Sequence, residues 1–125
     1  MENKIIDAAI TSSLYALREE KYKLRMFQVE LAVRIDSEYG VDTTLQDIRS
    51  IGGVTVVTAL DSLFRKMGGS DSGSYLSNIR IKFHPQKDST TAKTFVKDHL
   101  LPAIRSSEIP GCKVVRVLKP PAMVS

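Results

Sequence analysis

Two stretches of this chain run the same course. IRSIGGVTVVTAL (residues 48–60) and IRSSEIPGCKVVRVL (residues 104–118) both pass from a helix end, through glycine, into a valine-rich run. This repeated unit constrains the fold more than any other feature, because each copy needs a preceding strand and a shared sheet to join. The strand before the first copy is the clearest in the chain: Phe27, Val29, Leu31, Val33 and Ile35 alternate with Gln28, Glu30, Ala32, Arg34 and Asp36. Before the second copy, YLSNIRIKFHP sets Ile79, Ile81 and Phe83 against Arg80, Lys82 and His84. The order strand, helix, strand is thus expected twice.

The intervening segments fill in the parse. EYGVD leads to Thr44, whose hydroxyl is expected to cap a helix, with Asp47 three residues on favouring the same N-terminus. Leu45, Ile48 and Ile51 form that helix's apolar face, and Gly52 and Gly53 offer the left-handed positions that end it. The run VTVVTAL (54–60) reads as a strand, and LDSLFRKM either extends it or coils away. GGSDSGS (68–74) has no apolar residue and reads as a connector. Ser89, Thr90 or Thr91 is expected to cap a second helix carrying Ala92, Phe95, Val96, His99, Leu100, Ala103 and Ile104, kinked at Pro102. A fourth strand follows, and KPPAMVS reads as an extended tail. Ahead of all this, residues 5–17 place Ile6, Ala9, Ile10, Leu14 and Leu17 at helical spacing, and the charged run REEKYKLR links that amphipathic helix onward. Three regions result: helix and linker over 1–25, a domain over 26–119, and a tail over 120–125.

With 125 residues and 13.9 kDa, the chain is the size of one domain. Its 42% apolar and 26% charged residues fit a globular protein, and no apolar run approaches the length of a membrane span. Cys112 is alone, so no internal disulfide is expected, and the first residues lack the pattern of a secretory leader. A reducing, cytoplasmic setting is the expectation. The net charge of +4 hides an asymmetry: residues 26–64 carry two basic and six acidic side chains, and residues 65–125 carry eleven basic and four acidic. Such a chain either interleaves its halves, which cancels the difference, or presents a polarised surface to partners or nucleic acid.

On the repeated helix–glycine–strand unit, the chain resembles the half-repeat of heavy-metal-associated domains, ACT domains and other ferredoxin-like modules. LQDIRSIGGVTVV is also similar to small ferredoxin-like proteins of tailed bacteriophages. The resemblance implies an α+β fold: a ferredoxin-like βαββαβ arrangement with a four-stranded antiparallel sheet, here with an extra N-terminal helix. It also implies a place in a virion, and it carries no catalytic residue onto this chain.

The chemistry of neighbouring families can be tested residue by residue. Metal carriage would need paired thiolates after the first strand, but DSEYGVDTT has none, and Asp36, Glu38 and Asp42 lack calcium-loop spacing. No metal or cofactor is therefore expected. RNA recognition of the stacking type needs aromatics on the open sheet face, yet alternation turns Phe27 and Phe83 toward the helices. It leaves Gln28, Glu30, Arg34, Arg80, Lys82 and His84 on the open side, with Glu30 and Arg34 facing Arg80 and Lys82 if the two strands are neighbours. Catalysis needs a converging pocket, and His84, His99 and Cys112 have no evident partners; Asn78 lacks the loop arginine and anion cradle of an acylphosphatase. No enzyme is expected. An ACT-like ligand site would rest on Gly40 alone.

The expected function is that of a non-enzymatic structural or assembly protein. It would act through protein–protein contacts with itself, as a homo-oligomer or lattice, or with other structural proteins. Ile6, Ile10, Leu14 and Leu17 are the expected partner-binding helix residues. The alternative is a nucleic-acid-binding module using Arg80, Lys82, Lys113 and Arg116, with an ACT-like regulatory domain as a second alternative.

Overall fold

The structure is a computed structural model that describes residues 25–66, 73–85, 91–106 and 108–124. The expected N-terminal helix with Ile6, Ile10, Leu14 and Leu17, most of the connector at 68–74, and the candidate caps Ser89 and Thr90 lie outside the described residues.

Four strands form one antiparallel sheet: β1 (Phe27–Asp36), β2 (Val54–Lys66), β3 (Gly73–Phe83) and β4 (Cys112–Met123), in spatial order β2-β3-β1-β4. Helix α1 (Val41–Arg49) joins β1 to β2. Between β3 and β4 the chain forms α2 (Ala92–Phe95), a π-helical turn (Val96–Leu100) and α3 (Leu101–Arg105). The chain is therefore α+β with a four-stranded antiparallel sheet, compatible with the arrangement expected from the repeated unit. The repeat itself is visible in the backbone: Gly53 and Gly111, at φ 92° and 70°, each turn the chain into a strand in a conformation that L side chains rarely adopt.

Alternation along β1 and β3 is what builds the core. Val29, Leu31, Val33 and Ile35 lie beside Ile79, Ile81 and Phe83 on one face, all with no exposed surface. Ile48 from α1 and Phe95, Val96, Leu100 and Ile104 from the second helical segment complete the cluster. Phe83 is stacked between Phe27 and Phe95, at ring-centroid distances of 6.2 and 4.8 Å. This faces Phe27 and Phe83 inward, as alternation requires.

Several boundaries differ from the expectations. α1 starts at Val41 behind Gly40, so Thr44 lies inside the helix instead of capping it; its buried hydroxyl donates to the Gly40 carbonyl at 2.9 Å. A threonine one turn into a helix can satisfy itself on the carbonyl four residues back, which removes its need to stand at the cap. The second cap is Thr91, whose hydroxyl accepts from the Thr94 N–H at 3.1 Å. Pro102 sits just after the π-helical turn. Proline has no N–H and its ring presses on the carbonyl four residues earlier, so a widened turn ahead of it relieves that contact without breaking the segment. LDSLFRKM extends β2 as far as Lys66, and β3 begins at Gly73, inside the expected connector. β4 continues through Pro120 and Pro121 to Met123, so residues 120–123 belong to the sheet; the two prolines fall where the pairing with β1 slips between Lys119 and Ala122, on an edge strand whose outer N–H groups have no ladder partner.

Candidate interaction surface: the open sheet face and its edges

The helices cover one face of the sheet, and the strand registers place the side chains of the other face in rows. One row runs Thr58, Arg80, Glu30, Lys119; the next runs Asp61, Asn78, Ala32, Arg116; a third runs Leu63, Leu76, Arg34, Lys113. Lys82 lies beside Gln28 and Val56 at the other end. All four expected nucleic-acid residues, Arg80, Lys82, Lys113 and Arg116, thus share this face. Arg34, left out of that set, stands beside Lys113. The expected facing of Glu30 and Arg80 is present, whereas Arg34 faces Leu76 and Lys113 instead of Lys82.

Glu30 organises the centre. It is only 6% exposed, and its carboxylate lies 3.8 Å from the Arg80 guanidinium and 3.2 Å from the Lys119 ammonium. A carboxylate taken out of water on a central strand is tolerable only when cations flank it, and the two neighbouring strands supply one each. Because β1 is drawn from the acidic stretch of the chain and β3 and β4 from the basic one, the charge asymmetry interleaves and partly cancels here. The cancellation is incomplete: Arg34, Lys82, Lys113 and Arg116 form no ion pair among the described residues.

Among the described residues, the strands bring no aromatic side chain to this face. Phe27, Phe64, Tyr75 and Phe83, the aromatics of the strands, belong to the rows on the helix side. At the end of the face near Asp36, a cleft is lined by Arg34, Asp36, Ser37, Glu38, Ser74 and Lys113, two bases and two acids. Ser37 ties β1 to β3 there: its N–H donates to the Gly73 carbonyl at 2.9 Å and its hydroxyl accepts from the Gly73 N–H at 3.1 Å.

The remaining reactive side chains are kept apart. Cys112 is buried, and burial pushes its thiol up to about 11 from 9.0, the opposite of what a nucleophile needs. His84 is tied to the backbone, with Nδ1 3.0 Å from the Arg25 carbonyl oxygen. His99 shares a helix-side cleft with Asp98, Ser106 and Glu108, but no hydrogen bond joins it to any of them; its ring leans on Phe95 at 5.9 Å. Asn78 sits in the middle of the open face, beside Ala32 and Asp61. Gly40 serves as the residue before α1, at φ 77°. Among the described residues no three His, Cys, Asp or Glu side chains gather as a metal site, and no helix is long and apolar enough to cross a membrane.

The two sheet edges differ in proline content and in the regularity of their pairing, and this contrast was not anticipated from the sequence. β4 carries Lys113, Arg116, Lys119 and two prolines, and its pairing with β1 is interrupted at three places. Such features blunt an edge against further pairing. β2 is 13 residues long and has no proline; its pairing with β3 is interrupted near Thr55 and at Leu60 but regular over residues 61–66, and it leaves Leu60, Leu63 and Phe64 at 41%, 54% and 41% exposure beside the charged Asp61, Arg65 and Lys66. Phe64 is steadied by Tyr75, with ring centroids 5.0 Å apart, so an apolar side chain is held in place at an open edge. The available signal was LDSLFR itself, apolar residues in a segment with no helical partner for them. No protein-family model matches the chain, and no curated protein matches it as a relative.

Proposed function

We propose that the chain is a ferredoxin-like module without catalytic machinery, working as a structural or assembly protein through protein–protein contacts. The observation that carries this reading is the β2 edge: a long, proline-free strand that exposes Leu60, Leu63 and Phe64, the last against Tyr75, with no neighbour on its outer side among the described residues. Exposed strand edges recruit other chains, and proteins that do not use them normally disarm them, as β4 is disarmed here. The resemblance to bacteriophage proteins makes a virion the natural setting for such a subunit. The experiment is light scattering coupled to size-exclusion chromatography over a concentration and salt series. A mass above 13.9 kDa that persists at high salt supports an apolar assembly contact. A monomer under every condition refutes self-assembly.

A second reading, binding to phosphate backbones, draws on Arg34, Lys82, Lys113 and Arg116, which share one face and form no ion pair among the described residues. Arg80 contributes less to it because Glu30 holds it. Neutralising Lys82, Lys113 and Arg116 together then abolishes binding to a duplex oligonucleotide, and the parent's affinity falls steeply with salt. Affinity that ignores either change excludes this reading.

A further inference from the structure

We infer that β2 pairs with the β2 strand of a second copy, antiparallel and about a two-fold axis at Leu63, joining two sheets into one. The inference rests on the assembly reading and names its partner and register. Asp61 and Arg65 are both exposed, and neither forms an ion pair among the described residues. Their registers with Asn78 and Ser74 put both on the open face, flanking Leu63. Four residues along a strand span about 13 Å, so the two cannot reach each other within one copy.

A two-fold axis through Leu63 resolves this. It sets Asp61 directly opposite Arg65 of the second copy, twice, with Leu63 opposite its own counterpart between them. The pleat allows no neighbouring register to do the same: a shift that brought Asp61 to Lys66 would oppose residues from different faces, because Lys66 lies on the helix side with Gly73. On the helix side the same register sets Phe64 opposite Ser62 of the second copy and brings the two Phe64 rings into diagonal reach. The interruption in the β2–β3 pairing at Leu60 ends the regular segment, so residues 61–65, DSLFR, form a self-complementary stretch. The other edge is unsuited to this role because Pro120 and Pro121 lack the N–H groups that a ladder requires.

The test uses the full chain in sedimentation velocity over a wide concentration series. Asp61→Arg and Arg65→Asp each replace two opposed pairs by like charges and are expected to weaken the dimer roughly tenfold or more. The double variant, with the charges exchanged, restores the parent's affinity. Because both positions are exposed, the single variants keep the fold, which circular dichroism checks. Leu63→Cys under mild oxidation yields a covalent dimer of twice the 13.9 kDa chain mass. An oligomer indifferent to all three charge variants, without a Leu63→Cys cross-link, overturns the β2 pairing while leaving assembly to another surface. A monomer throughout overturns both.

Discussion

Cys112 opens β4 with its sulfur among the core residues, and burial raises its pKa from 9.0 to about 11. In the unfolded chain the thiol ionises near the lower value, so between 9.0 and about 11 the unfolded state releases a proton that the folded state keeps. The stability linked to the protonated thiol is complete below the unfolded pKa and is lost as pH rises through the folded one. Each unit of that interval corresponds to about 1.4 kcal/mol. Residual contact of the sulfur with water reduces this, leaving an expected loss of about 1 kcal/mol by about pH 10. Cys112→Ala removes the titration and, through the lost sulfur packing, costs about 1 kcal/mol near neutral pH. Urea denaturation of the two chains at about pH 8 and about pH 10 checks the argument, since the lysines and tyrosines common to both cancel in the difference. The parent should be the more stable at the lower pH, with the gap closing at the higher. A gap that stays constant would mean that the thiol ionises in the fold as readily as in the open chain, which refutes the account of its burial.

Three further outcomes follow from the packing. Phe95→Ala removes the ring stacked on Phe83 and should cost about 3–5 kcal/mol in chemical denaturation. Gly73→Ala sets a methyl 2.6 Å from both the Phe64 ring and the Arg65 carbonyl oxygen; since the carbonyl belongs to the backbone, the fold should lose about 1–3 kcal/mol, and Phe64→Ala should relieve only part of it. Lys119→Ala should cost about 1–3 kcal/mol, because it leaves the buried Glu30 carboxylate with Arg80 alone at 3.8 Å, and Glu30→Gln should recover part of that loss.

Legibility tracked how differently the two sides of each element are solvated. β1 and β3 were readable because helices bury one face and leave the other open, which writes alternation into the residues. Beyond Val57, β2 is exposed on both faces, so LDSLFRKM carries no period and its strand character comes only from pairing with β3. Pro120 and Pro121 read as a stop, yet an edge strand bonded on one side accommodates them. Glu30 occupied a position that alternation assigns to solvent; its burial depends on which cations the adjacent strands bring alongside, a matter of register that spacing within one strand does not encode. The contrast between edges was hidden for the same reason, since strand order is a property of the whole sheet.

The position of β1 also has a bearing on biosynthesis. Its two neighbours, β3 and β4, are made only after it, β4 last of all. While the ribosome is still adding residues up to Met123, the strand that carries Val29, Leu31, Val33 and Ile35 has at least one side without a hydrogen-bonding partner. Sheets closed by such late arrivals acquire their distant contacts slowly. Until then the nascent chain presents two sticky borders, β2 and the half-paired β1, making prematurely terminated products the form most prone to aggregate.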